Sequence, residues 1–132
     1  MATSLRMSKT NKQLICLISS QISEPARQEL SLIFDNVVHV AELDSFDKER
    51  LALLGRPELG VTVTKIQAWR LTQYEKLVFL DADTIVLQNI DELFDRQTHF
   101  AAAPDIGWPD CFNSGVFLFV PSLLTYQAVH TI

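Results

Sequence analysis

Apolar positions along this chain fall into two alternating patterns: short continuous runs bounded by polar residues, and stripes recurring every three or four positions. Leu14 to Ile18 is a run of the first kind and reads as a buried strand, entered from the end of a helix. Ser23 can cap a following helix with Pro25 in its first turn, and Ala26, Leu30, Ile33 and Phe34 fall on one helical face. Val37 to Val40 is a second strand, so the unit strand-helix-strand predicts parallel pairing with helices covering the sheet. Asp44 to Gly60 is mixed, with Leu51, Leu53 and Leu54 apolar and Gly55, Pro57 and Gly60 as punctuation. Val63, Ile66 and Trp69 are spaced three apart and predict a helix over Thr62 to Leu71. Leu77 to Leu80 is a third strand, and Thr84 to Leu87 a short further one. Asn89 and Glu92 have capping-box spacing for Ile90 to Asp95. Phe100 to Ala103 and Gly115 to Val120 are strands separated by a loop with Pro104, Gly107 and Pro109, and Ser122 caps a last helix from Leu123. There is no repeat, low-complexity run or linker, so one α/β domain over residues 1–132 is expected.

Composition narrows the class. A hydrophobic content of 48% with 20% charged residues is that of an ordinary globular protein. Sixteen acidic residues against eleven basic ones give a net charge of −5, which opposes binding to a nucleic-acid backbone. No apolar segment reaches the ~18 to 20 residues of a membrane span, so neither nucleic acid nor membrane is expected as a partner. Cys16 and Cys111 have no metal-binding or framework spacing, and a reducing cytoplasm is the simplest compartment. Arg6, Lys9 and Lys12 with no acid before Glu24 have the flavour of a transit peptide, but the core strand inside that window favours ordinary folded structure.

The candidate chemistry lies where the third strand ends. Leu77-Val78-Phe79-Leu80 runs straight into Asp81-Ala82-Asp83, and on a continuing strand Asp81 and Asp83 would project to the same side about 6 to 7 Å apart. Two carboxylates that close repel by roughly 2 to 3 kcal/mol at an effective dielectric near 20, unless a cation sits between them. Hard oxygen ligands of this kind suit Mg2+ or Mn2+ with open positions for substrate phosphates. The same aspartates would also serve as plain turn formers after a strand. Arg56 and Lys65 are upstream cations that either meet a diphosphate or stand as surface charges. Asn113 and Ser114, at the entrance to the last strand, either form a turn or bond sugar hydroxyls; Trp108 is a stacking platform or a core plug. His39, His99 and His130 lack ligand spacing and read as structural, and no Walker A loop, GxGxxG or GxSxG is present.

Four stretches extend the pair of aspartates into a longer signature: Arg56 to Lys65, Phe79 to Thr84, Asn89 to Phe94, and Ala102 to Phe117. In order and nearly throughout the chain from about Leu5, they resemble the retaining glycosyltransferase family 8, in the branch that primes glycogen synthesis by glucosylating itself. The resemblance implies an incomplete GT-A fold over 1–132, a Rossmann-like, mostly parallel sheet flanked by helices. It implies UDP-glucose as donor, Mn2+ as cofactor with Mg2+ possible, and, for full-length members, a homodimer and glycogen synthase as partners. By position, Asp81 and Asp83 match the family's metal ligands and Ala82 its ribose contact. Arg56 and Lys65 match residues lining the donor, and Asn113 and Ser114 residues near the sugar; Asp81, Asp83 and Lys65 would carry the catalysis. The implied reaction moves glucose to a protein tyrosine and then extends an α-1,4-glucan primer, with the metal stabilising the UDP leaving group.

The family's opening strand and Thr-rich loop are expected before Met1, and its acceptor tyrosine, Asp-Gln-Gly segment and Gly-Lys-Pro-Trp motif after Ile132. Tyr74 and Tyr126, the only tyrosines here, match no acceptor position. The chain therefore reads as cut, expected not to glucosylate itself and to be marginally stable because strand edges would be exposed. Two alternatives accompany this reading. One is a catalytically inactive isoform or fragment that binds UDP-sugar and metal weakly or pairs with full-length subunits. The other is a haloacid-dehalogenase-type phosphatase, in which the first Asp of an Asp-x-Asp motif is a covalent nucleophile.

Overall fold

The structure is a computed structural model and describes residues 1–41, 65–107 and 111–130. The mixed segment Asp44 to Gly60, Arg56 within it, and Trp108 lie outside the described residues. The chain forms two compact units, Met1–Gln13 with Gln73–Pro121, and Leu14–Thr72 with Ser122–Ile132.

The first unit is built on three antiparallel strands, β3 (Leu77–Leu80), β4 (Phe100–Pro104) and β5 (Phe112–Phe119), in the order β3-β5-β4. The long central strand supplies the core: Phe117, Leu118 and Phe119 are 3%, 2% and 1% exposed. Phe117 stacks on Phe79 at 5.0 Å and meets Phe119 at 5.3 Å, so apolar burial is concentrated where β5 crosses β3. Helix α1 (Ala2–Met7) buries Leu5, then stops at Ser8, and Lys9 takes the left-handed conformation, φ 59°, that commonly ends a helix.

The residues after the third strand are fastened by side chains instead of by a ladder. The Val86 N–H donates to Ser4 Oγ at 3.0 Å, and Asn89 Nδ2 donates to the Ser8 carbonyl at 3.2 Å. Thr84 to Leu87 is accordingly not a strand, correcting the sequence expectation, and Ile85 and Leu87 are exposed. The capping-box expectation is also corrected. Residues Asp91–Asp95 form a 3-10 helix whose cap position, Ile90, makes no side-chain cap bond, while Asn89 Oδ1 accepts the Asp91 N–H at 2.9 Å. Asp91 in turn accepts the Thr10 hydroxyl at 2.5 Å and the Asn11 N–H at 3.0 Å. Partial desolvation opposes its ionisation, but these bonds, the Asn89 contact and the nearby Lys12 charge outweigh it and hold the carboxyl below its ordinary pKa.

The second unit carries the parallel pairing read from the sequence. Strand β1 (Ile15–Ile18) runs parallel to β2 (Asn36–His39), from Ile15 opposite Asn36 to Ile18 opposite His39, with α2 (Glu24–Ile33) between them in sequence. Ser23 stands at the N-cap and Pro25 in the first turn as expected, without a side-chain cap bond. Asp35 Oδ2 accepts the Leu14 N–H at 2.7 Å, and the Leu14 carbonyl accepts the N–H groups of Asp35 and Asn36, pinning the entry to both strands.

The helix expected over Thr62 to Leu71 is, in its described part, a 3-10 helix, Lys65–Arg70. The β-branched residues that precede and enter it are poor α-helix formers. It packs on α3 (Leu123–His130), where Gln67 Nε2 donates to the Tyr126 hydroxyl at 3.4 Å and the Arg70 guanidinium lies 5.5 Å from the Tyr126 ring. Ser122 caps α3 as predicted, its Oγ accepting the Thr125 N–H at 3.2 Å. Tyr126 is thus part of a helix contact. Among the described residues no buried side-chain polar atom lacks a partner, and no helix is long and apolar enough to cross a membrane.

Candidate functional site

The first unit brings Asp81, Asn113, Ser114 and Gly115 together. β3 ends at Leu80, but one more ladder bond follows, from the Asp81 N–H to the Gly115 carbonyl at 2.9 Å. The chain then turns: the Asp81 carbonyl accepts both the Thr84 N–H at 3.1 Å and the Thr84 hydroxyl at 2.7 Å. Asp81 is half-buried, while Ala82 and Asp83 are exposed on the turn. Strand alternation therefore does not relate Asp81 and Asp83, contrary to expectation; their relative placement is set by a turn. The turn-forming role expected of Asp81 is met by its backbone carbonyl, not by its carboxylate.

The opposite wall comes from β5. Asn113 and Ser114 do not precede this strand, as the sequence suggested, but belong to it, because the strand already starts at Phe112. Pairing with β4 breaks at this point: Ala102 faces Phe117, yet Ala103 faces Asn113, so Ser114, Gly115 and Val116 have no counterpart on β4. Such a bulge bends a strand and re-aims its side chains. Asn113 Oδ1 folds back on the chain and accepts the Gly115 N–H at 2.8 Å. A Cβ built on Gly115 would lie 2.9 Å from Asn113 Oδ1 and 3.5 Å from Asp81 Oδ2. A carboxylate oxygen at the end of β3 and a carboxamide oxygen of β5 thus both approach Gly115, and a side chain there would displace the Asn113 amide.

With Asn113 Oδ1 taken up by the Gly115 N–H, the carboxylate oxygens of Asp81 and Asp83 are the donors on offer, a chemistry that fits a hard divalent cation such as Mg2+ or Mn2+ and not a thiol-seeking metal. Among the described residues no group of three or more His, Cys, Asp or Glu is placed to hold a metal. Lys65 opens the 3-10 helix of the second unit and is half-buried. His39 and His99 are exposed, and neither belongs to a metal-binding group. Of the two thiols, burial pushes that of Cys16 up, and Cys111 is exposed. Gly115 escaped the residue-by-residue reading of the sequence, although a glycine inside an otherwise apolar strand signals a bulge or close approach.

The sequence model of glycosyl transferase family 8 matches residues 1–131. The chain belongs to that family. It is 53% identical over 131 residues to human "Glycogenin-1", covering 98% of this chain and 37% of that protein. It is 57% identical over 124 residues to human "Glycogenin-2", covering 94% of this chain and 25% of the relative. A fungal "Glycogenin", from Neurospora crassa, is 42% identical over 130 residues, which are 98% of this chain and 19% of that relative. The chain therefore spans less than two fifths of the length of these relatives. Membership of family 8 implies the GT-A α/β fold, with which the parallel β1-β2 pair and mixed helices and strands are compatible. It also favours the transferase over the phosphatase reading, since the match runs through both walls of the site.

Proposed function

We propose that this chain carries the donor-binding part of a glycogenin-like, retaining glucosyltransferase, which moves glucose from UDP-glucose to a protein tyrosine and then extends an α-1,4-glucan primer. The observation that supports this most directly is the approach of Asp81 Oδ2 and Asn113 Oδ1 to Gly115, where the end of β3 meets the β5 bulge. In this reading Asp81 and Asp83 hold Mn2+, or Mg2+ in its place, and Ala82 offers backbone groups to the ribose. Asn113 and Ser114 meet the glucose. Arg56 and Lys65 are assigned to the donor on the family resemblance alone. Bound by the two aspartates, the cation would neutralise charge on the departing UDP. The chain's own part is to hold the diphosphate end at the Asp81 turn and the sugar end at the β5 bulge, so that the bond to be broken lies between two fixed walls. For the whole protein, a homodimer, glycogen synthase as partner and a cytoplasmic site of action complete the proposal.

The test is incubation with UDP-glucose, MnCl2 and a maltooligosaccharide acceptor, following UDP release and glucose transfer. Metal-dependent consumption of UDP-glucose, lost in Asp81→Asn, is the expected result. Metal-independent turnover, or activity that survives Asp81→Asn, would overturn the assignment.

A further inference from the structure

The Gly115 N–H can only donate, so the group of Asn113 that faces it at 2.8 Å must be the carboxamide oxygen. That fixes the flip of the Asn113 amide: its acceptor is committed to the backbone, and its NH2 is what remains for other partners. The arrangement needs room, because a Cβ on Gly115 would sit 2.9 Å from that same oxygen, closer than real Cβ contacts come, and 3.5 Å from Asp81 Oδ2. Gly115 lies outside the left-handed φ region, so what its missing Cβ provides is space: a Cβ would require the Asn113 amide to shift. The Ser114 to Val116 bulge leaves this stretch without a counterpart on β4, while Leu80 still faces Val116 on β3 and the Asp81 N–H still donates to the Gly115 carbonyl.

We propose that Gly115 is a positioning residue which locks Asn113 oxygen-inward beside the Asp81 carboxylate, so that Asn113 presents a pure hydrogen-bond donor to an oxygen acceptor of the nucleotide-sugar. The proposal rests on the donor-site reading above and adds to it a polarity. Next to a carboxylate that takes a cation, an NH2 donor selects a neutral hydroxyl or an anionic phosphate oxygen and rejects a second donor. Asp at position 113 would still accept the Gly115 N–H, but would face the ligand with negative charge. Ala at position 115 would push the Asn113 amide off its anchor.

Calorimetric titration of UDP-glucose in the presence of Mn2+, paired with thermal melts of each variant, tests this. Gly115→Ala and Asn113→Asp are each expected to weaken binding by about tenfold or more, the scale of one hydrogen bond to a charged or strongly polar group. In an Asn113→Ala background, adding Gly115→Ala should cost little further in either melting temperature or affinity, because the oxygen it collides with is gone. A Gly115→Ala protein that binds as the parent does, or whose penalty is unchanged in the Asn113→Ala background, overturns the proposal while leaving the donor-site reading in place. A parent chain with no Mn2+-dependent binding of UDP-glucose overturns both.

Discussion

The two halves of β5 belong to one strand between the same two neighbours, β3 and β4, yet they are built for opposite ends. From Phe117 to Phe119 every side chain is buried and the register with β4 is regular. From Phe112 to Gly115 the strand is exposed or half-buried, loses register, and uses a side chain to satisfy its own backbone. The regular half has dense apolar packing on both strand neighbours, which fixes register strongly, since a slip by one residue would turn Phe117 and Phe119 to the other face. The irregular half has no such packing to obey and can bend toward Asp81. Rigidity in the first half is what allows irregularity in the second to be precise.

The largest expected effect breaks the core half. Phe119→Ala removes the most deeply buried large side chain and should cost about 3 to 5 kcal/mol, read from a denaturant melt. Phe112→Ala, at the exposed end and touching Phe100 edge-on at 5.1 Å, should cost under about 1.5 kcal/mol in the same measurement. Equal costs would mean that the two ends of the strand are not energetically distinct.

A smaller effect sharpens the comparison from the opposite wall. Thr84→Ala deletes the hydroxyl that closes the Asp81 turn at 2.7 Å and is expected to cost about 1 kcal/mol of stability. Its affinity for Mn2+ with UDP should fall as well, because the turn sets where the Asp81 carboxylate stands. A stability loss with unchanged affinity would separate the turn from the site.

The smallest effect lies away from β5. The Asp91 carboxyl, held below its ordinary pKa in the fold, contributes stability that is complete above the usual carboxylate range near pH 4 and is lost as the pH falls through its lower folded value. Because the group is no more than half-buried, solvent screening limits the effect to about a few tenths of a kcal/mol. Melts of the parent and of Asp91→Asn should therefore differ slightly at pH 7 and converge as the pH falls through the lowered carboxyl pKa. A difference that grows on acidification would have the wrong sign for this account.

What the sequence made legible follows the same division. Leu14 to Ile18, Val37 to Val40 and Leu77 to Leu80 are apolar runs whose burial is set locally, and they were readable to within a residue or two. Ser122 was readable as a cap because capping is chemistry within four residues. Thr84 to Leu87 misled because its backbone is tied by a local turn, Thr84 to Asp81, and by a partner 82 positions away, the Ser4 hydroxyl that accepts the Val86 N–H. The later strands pair antiparallel although the first unit of sequence implied parallel neighbours, since pairing direction depends on long-range topology and not on the strands' own composition. Asp81, Asn113 and Ser114 could be proposed from the motif. Their geometry was not, because it depends on a turn at Asp81, a three-residue bulge in β5 and the missing Cβ of Gly115.

The most direct test of the central claim, that the irregular half of β5 and the Asp81 turn form a metal-dependent nucleotide-diphosphate site, is a thermal melt with and without UDP and Mn2+. It should be run on the parent chain and on the Asp81→Asn, Asp83→Asn double variant. At about 100 times the dissociation constant, binding adds roughly 2.7 kcal/mol, a shift of several degrees. The account predicts that shift in the parent and its loss in the double variant. The same shift in both proteins, or none in the parent, would contradict it.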